Sequence, residues 1–416
     1  MLLKLTLSSL YARLLTVSMT IFAISLSLML YLSVEKLRSS AYTSFTNTIS
    51  QTDLIVGSRT SSIQLLLYSV FRIGNATNNI TWESYEDIIN RNEVSWSVPI
   101  SLGDSHKGFR VMGTNMEFFE RYKYRGGQSL EIEEGHQLND LYDVVLGFGA
   151  AEKLGYKIGA PLIVSHGLQS FTDHDDQPFK VSGILAKTGT PVDNTVIVSL
   201  EAIEAIHVDW SSGTKIQGQE TPVDEIRQMD LSPKNITAAL IGVESKLQVF
   251  KLQRWINEYP EEALSSILPG VALQELWRIV GIVENLLLGI SAVVIFSTLM
   301  GMAAIIFSSL NERRREMAIW RAMGAPPSII IGLLMIEAFI ISVLSTIVST
   351  ILLFGLLYLL QPWIDNTYGI LVNIEMLSLG DIFIFVYFIL AAMLVSLIPA
   401  VKAYWFSIND GMTIKI

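Results

Sequence analysis

Four stretches without a charged side chain decide what this chain can fold into. They run from Leu14 to Val34, Asn285 to Leu310, Ala338 to Ile364 and Ile382 to Val401. Each reaches the roughly 20 apolar residues that cross a ~30 Å hydrocarbon core as a helix. The third is expected to start near Ser328, which places Glu337 inside a span. The arrangement is one helix, a long gap, then three. Composition agrees: mean hydropathy is +0.44 and only 16% of residues are charged, against about a quarter in soluble proteins. With no cysteine, a disulfide scaffold, a thiol nucleophile and cysteine-ligated zinc are excluded. A net charge of −10 argues against nucleic acid as a partner, because phosphate binding needs basic surface.

A cleaved signal peptide is the competing reading of the first stretch. Its uncharged length exceeds the usual apolar core of about 7–15 residues, and no A-x-A site follows. Orientation comes from the loops. Arg313, Arg314, Arg315 and Arg321 lie between spans two and three, whereas Asp365 and Glu375 lie between spans three and four without lysine or arginine. Positive charge stays in the cytoplasm, so both termini are expected there, with the large gap outside. The expected layout is an interfacial helix over 1–13, spans at 14–35, 279–310, 328–360 and 381–403, and an external domain with its stalk over 36–278. A cytoplasmic coupling segment (311–327), an external loop (361–380) and a cytoplasmic tail (404–416) complete it. The fold class is therefore an α-helical membrane domain of four helices joined to a large α+β external domain.

Residues 36–278 hold 21 basic and 30 acidic residues, nearly all of the net charge. YDVVLGFGAAEKLGYKIGAPLIVSHG reads as strand, helix, turn, strand. FKVSGIL and NTVIVSLEAIEAI read as a strand and then a strand with its helix, and GFRVMGT and ITAALIGV as further strands. A return helix near Ala272–Val283 is expected to run into the second span as a stalk. All five histidines fall in this region, and SHGLQSFTDHDDQPF gathers His166, Asp173, His174, Asp175 and Asp176. Imidazole and carboxylate suit zinc, but the spacing matches no standard ligand pattern, so a solvated polar loop is the plain reading and His166, His174, Asp175 and Asp176 the alternative metal set. No G-x-S-x-G elbow or other nucleophile context occurs, and no catalytic residue is expected.

No G-x-x-x-x-G-K-[ST] occurs either, so this chain is expected to bind no nucleotide itself. Asn311–Ser328 is the one cytoplasmic loop with substance. Charged Glu312–Glu316 is followed by Met317, Ala318, Ile319, Trp320, Ala322 and Met323 at helical spacing, with Gly324, Pro326 and Pro327 to stop the helix. On physical grounds a docking element and a simple topology-setting basic loop stand level.

The run NERRREMAIWRAMGAPPSIIIGLLMIEAFIIS resembles the signature of FtsX-like permease domains in MacB-type ABC transporters, E-R-R-x-E-[IM]-[AG]-I-x-R-A-[LM]-G-A ahead of the third span. The matching positions are Glu312, Arg313, Arg314, Glu316, Met317, Ala318, Ile319, Arg321, Ala322, Met323, Gly324 and Ala325, with Glu337 as the glutamate that recurs near that span's start. DLIVGSRTSSIQLLLYSVFRIGN and DVVLGFGAAEKLGYKIG resemble segments of the family's periplasmic core domain, the latter as V-x-G-x-x-x-A-x-x-L-x-x-x-x-G. The resemblance implies a permease of a bacterial inner membrane that dimerises, as homodimer or with a related permease. A separate cytoplasmic ATPase would dock on Glu312–Gly324, including Arg315 and Trp320, and that partner would hold ATP and Mg. A periplasmic adaptor or substrate-binding protein is a further expected partner. Work would pass by mechanotransmission, through the stalk, to export or extract a substrate. With no ATPase domain ahead of the first span in this sequence, the chain is expected to fall nearer the unfused permease branch.

Ser297, Gly301, Ala304 and Ser308 fall at i, i+4, i+7 and i+11 of the second span, a small-residue stripe that lets another helix approach closely. It suits a dimer seam or packing within the chain. Two other functions stay open: an FtsX-like module that switches an extracytoplasmic enzyme without transport, and a metal-handling membrane protein built on the histidine–aspartate loop.

Overall fold

The computed structural model describes residues 2–48, 50–166, 173–174, 177–211, 214–215, 221–312, 326, 328–368 and 377–409. The chain divides into two units. Met1–Ser39, Gly281–Trp363 and Val372–Ile416 form one, Ser40–Val280 with Ile364–Leu371 the other.

Helices α1 (Leu2–Ala12) and α2 (Leu14–Thr48) come first. Strand β1 (Leu54–Ser58) and helix α3 (Ser62–Ser69) open the second unit, followed by a hairpin of β2 (Val94–His106) and β3 (Phe109–Thr114). Next are β4 (Ile132–Gly135), β5 (Asp143–Leu146), α4 (Phe148–Leu154), β6 (Val164–His166), β7 (Asp173–His174) and β8 (Lys180–Leu185). β9 (Thr195–Ser199) runs straight into α5 (Leu200–Ile206). β10 (Ala238–Val243), α6 (Val249–Asn257) and β11 (Leu264–Ile267) complete the domain. Three long helices follow, α7 (Pro269–Glu312), α8 (Ser328–Tyr368) and α9 (Leu379–Asn409).

One mixed sheet organises the second unit. Among the described residues its order is β11-β1-β10-β2-β3-β9-β5-β8-β4, with β6 paired to β2 and β7 to β6. Among the described strands only β9 with β3 and β8 with β5 run parallel. Every residue of β1 is buried, the mark of a strand covered on both faces. Its side chains alternate between two cores, as a period of two requires. Ile55 joins Leu65, Tyr68, Val98 and Ile100, while Leu54 and Val56 join Ile80, Leu252 and Ile256. The second core is closed by α6, whose Val249, Leu252 and Ile256 form one buried stripe. Each such buried side chain contributes about 1.5–3 kcal/mol. A third core, with Val144, Leu146, Val196 and Ala202, lies under α4 and α5.

The strand–helix unit at DVVLGFGAAEKLG is held by a buried carboxylate. Asp193 accepts from the Thr188 amide and hydroxyl and from the Gly189 amide, at 2.7–2.8 Å. Burial pushes its carboxyl above the ordinary range, opposed by these donors. The turn so fixed brings the Val192 and Asp193 carbonyl oxygens against Gly147, where an added Cβ would sit 2.1 and 2.5 Å from them.

Among the described residues four helices are long and apolar enough to cross a membrane, over Leu14–Thr43, Pro269–Ser308, Ser328–Gln361 and Leu379–Ala403. α2 turns Ile24, Leu28 and Leu32 inward. Small hydroxyls knit the bundle: Ser25 Oγ donates to the Ser345 carbonyl at 3.0 Å, and Ser27 Oγ lies 2.8 Å from Thr298 Oγ1. Such bonds and small contact residues are how helices associate without a hydrophobic driving force. The Lys36 ammonium meets Asp381 at 3.0 Å, with both side chains largely buried.

Two helices are longer than the hydropathy pattern suggests. α2 continues to Thr48 because no glycine or proline interrupts Leu14–Thr48. α7 begins at Pro269, a residue suited to the first helical position, where its missing N–H costs nothing.

Candidate functional site

The parts that could move or transmit force are built from the ends of α2 and α7. Beyond its uncharged stretch (14–34), α2 presents Tyr42 and Phe45 one turn apart, and α7 presents Trp277 ahead of its own uncharged stretch (285–310). The Trp277 ring lies 5.3 Å from Tyr42 and 5.7 Å, edge-on, from Phe45. Phe45 also stacks at 4.4 Å on Phe71 of the domain core. Aromatic pairs of this geometry add about 0.5–1.5 kcal/mol beyond their burial. The last turn of α2 is anchored again where the buried Tyr122 hydroxyl donates to the Thr48 carbonyl at 2.5 Å. Burial pushes that phenol up to about 12. This aromatic clamp was not read from the sequence. Its signal was the pair Tyr42 and Phe45, three residues apart just past a span.

Within the membrane unit, α7 buries Leu299, Met302, Ala303, Ile306 and Leu310. Ser297, Gly301, Ala304 and Ser308 lie on its exposed side, and a Cβ at Gly301 would meet open space. Gly301 and Ser308 of this stripe line open clefts beside α2. Glu337 is buried, 4% exposed, and lines a cleft of about 390 Å³ with Arg13, Thr16, Thr20, Met302 and Ser308. Arg13 and polar groups of α2 and α7 thus line the cleft around the one acid of the Ser328–Gln361 span, as an ionisable group in a span requires.

Glu312 is the last residue of α7. Arg313, Arg314, Arg315, Glu316, Ile319, Trp320, Arg321, Met323 and Gly324 lie outside the described residues, as do Asp175 and Asp176. His166 and His174 fall in β6 and β7. Among the described residues no three histidine, aspartate or glutamate side chains come together as a metal site. Two histidine–aspartate pairs that the sequence did not suggest do approach each other, His136 Nδ1 with Asp143 Oδ2 at 3.9 Å and, at the end of α5, His207 Nε2 with Asp104 Oδ1 of β2 at 4.0 Å.

The profile of the MacB-like periplasmic core domain matches residues 14–259, and that of the FtsX-like permease C-terminal domain matches residues 288–408. An uncharacterized ABC transporter permease of Methanocaldococcus jannaschii is 23% identical over 239 residues, covering 56% of this chain and 52% of that one. The chain thus spans about half the length of this curated relative. Among solved structures, the extracellular domain of the noncanonic ABC-type transporter YknZ from Gram-positive bacteria aligns at 14% identity. Its TM-score is 0.31, over 52% of this chain and 99% of that one. The periplasmic region of MacB from Actinobacillus actinomycetemcomitans aligns at 10% identity and a TM-score of 0.34, over 55% and 94%. The core-domain profile alone takes in more than half of the chain, and with the permease profile it reaches from the first membrane helix to the last. The chain belongs to the MacB- and FtsX-like permeases of ABC transporters.

Proposed function

We propose that this permease works by mechanotransmission: a separate cytoplasmic ATPase hydrolyses ATP with Mg, and the permease converts its closure into movement of the external domain, exporting or extracting a substrate there. The observation that carries this reading is α7. It runs unbroken for 44 residues, about 66 Å at 1.5 Å per residue, from the domain's last strand through the second span to the coupling segment. A continuous helix held by aromatic clamps transmits displacement better than a jointed one. Positive-inside charge supports a cytoplasmic coupling segment and termini, with the mixed domain outside.

The ATPase docks, in this reading, on Glu312–Gly324, where Arg313, Arg314 and Arg315 supply charge and Ile319, Trp320 and Met323 an apolar face. Replacing Arg313–Arg315 with serine and Trp320 with alanine is expected to abolish co-purification of the ATPase from native membranes. An ATPase retained at wild-type stoichiometry would remove the docking assignment. Vectorial release of substrate from reconstituted vesicles separates transport from a purely signalling role.

The exposed stripe Ser297, Gly301, Ala304, Ser308 supports a dimer seam with a second permease copy. Gly301→Cys is expected to form an intermolecular disulfide in membranes under mild oxidation, whereas cysteine at buried Met302 is expected to give none. Equal cross-linking at both positions would show that α7 carries no specific seam.

A further inference from the structure

Helix α3 and the segment after it carry positive charge without an acid to meet it. Between Asp53 and Glu83 the sequence has Arg59 and Arg72 and no carboxylate, in a domain whose overall balance is acidic. Arg110 of β3 reaches the same segment. Its Nε donates to the Arg72 carbonyl at 3.0 Å, and its Nη2 donates to the Gly74 carbonyl and the Asn75 side-chain oxygen at 2.7 and 2.8 Å. All three acceptors are neutral, and Nη1 makes no hydrogen bond among the described residues. Burial lowers the pKa of this guanidinium. The Arg72 guanidinium is tied to the Ser69 carbonyl and the Met112 sulfur, with its Nε buried and unbonded. Burial pushes it down to about 10, and the neighbouring Arg110 pushes the same way. Two guanidiniums thus share one segment, and among the described residues neither has a carboxylate partner.

Arg110 lines a polar cavity of about 460 Å³ together with Tyr68, Asn75, Thr77, Asn78 and Asn79. Small-molecule sites have volumes of about 300–1,000 Å³. Asn75, Thr77, Asn78 and Asn79 are exposed, so the cavity is open to solvent. Tyr68, at the end of α3, is of another kind. It is 2% exposed, yet its hydroxyl makes no hydrogen bond among the described residues. Gly57 of β1 leaves it room, since a Cβ there would lie 2.5 Å from the hydroxyl oxygen. Burial pushes this phenol up to about 12, so it keeps its proton and is a donor at neutral pH. A buried donor without a partner costs stability, and the cavity is where a partner fits. Water there would satisfy the phenol alone, whereas a carboxylate satisfies the phenol and the guanidinium together.

We infer that this cavity of the external domain binds the carboxylate of a small polar ligand, with Arg110 and Tyr68 as the anchoring donors. Two donors suit the two oxygens of a carboxylate, and a single negative charge suits one guanidinium edge in an acidic domain better than a phosphate dianion. The asparagine amides and the Thr77 hydroxyl supply donors and acceptors for hydroxyl or amide groups on the rest of the ligand. None of this depends on the coupling mechanism, and the test needs no ATPase. Full-length protein in detergent is titrated with glucuronate, N-acetylglycine and glucose, and binding is read by saturation-transfer NMR. At least one of the two carboxylates is expected to bind saturably, and the tighter one tells a sugar acid from a peptide carboxylate. Glucose, a sugar without the charge, is expected not to bind. Arg110→Gln is expected to lose the binding. Tyr68→Phe is expected to weaken it about 10-fold or more, the worth of one hydrogen bond to a charged group. The same variant is expected to leave ligand-free thermal unfolding unchanged, because the hydroxyl it removes bonds to no described residue. No saturable binding of either carboxylate, equal binding of glucose, or unchanged affinity in folded Arg110→Gln or Tyr68→Phe would each overturn the site.

Discussion

Gly147→Ala is expected to destabilise the external domain by about 3 kcal/mol or more, at the upper end for overpacking. At about 2–4 °C per kcal/mol for a domain of this size, that lowers the melting temperature by roughly 6–12 °C. The cost is not conformational. Gly147 has φ −64° and ψ 150°, a backbone any residue adopts. It is steric, and the obstacles are the carbonyl oxygens of Val192 and Asp193, part of a turn fixed by three hydrogen bonds to the buried Asp193 carboxylate. Backbone held in this way cannot step aside as a side chain does. Gly155, seven residues after the Gly147 N-cap neighbour Phe148, provides the contrast. Its φ is +66° with open space around a Cβ, so alanine there costs about 1 kcal/mol for the left-handed backbone alone. Thermal unfolding followed by circular dichroism checks both; equal, small losses would show that the 191–194 turn yields.

On the proposed mechanism, Gly281→Pro is expected to leave the external domain folded and the ATPase bound, yet abolish ATP-driven movement of that domain. Proline inside a helix removes one i to i−4 hydrogen bond and clashes with the preceding turn, costing about 3 kcal/mol and bending the rod. Gly281 lies inside α7, twelve residues after Pro269, and a Cβ there meets nothing within 4 Å. Gly281→Ala is therefore a matched control. It adds the same Cβ, keeps the N–H and raises helix propensity by about 1 kcal/mol, so movement is expected to persist. Distances between spin labels on the external domain, measured with and without ATP, decide it. Full-amplitude movement in the proline variant would mean that α7 is not the transmitting element.

Local patterns carried much of this fold. Alternation and short apolar runs gave FKVSGIL, NTVIVSLEAIEAI and GFRVMGT as elements, and each is a strand, or a strand with its helix, in the structure. The pairing of those elements was not legible, because β1 takes its neighbours from residues 238–243 and 264–267, and no local pattern encodes partners so distant. The same limit hid Asp104 and His207. Each is unremarkable in its own segment and becomes a pair only when β2 and α5 meet. Gly147 was visible as a motif position, but its reason lies in a turn some 45 residues away. The stalk aromatics fell between the two: Tyr42, Phe45 and Trp277 are conspicuous by type, yet their contact depends on α2 and α7 outrunning their apolar spans.

The placement of β1 between β10 and β11 also sets a schedule for biosynthesis. β1 leaves the ribosome early, but its first partner strand begins at Ala238. At about 5–20 residues per second, that interval lasts roughly 10–40 s, during which a strand whose every residue is buried in the finished fold waits with both edges open. The domain cannot close until the chain has been made almost to the second membrane helix. Export of the whole region and insertion of that helix are thereby timed together, and a newly made chain halted in between is the form most exposed to aggregation and proteolysis.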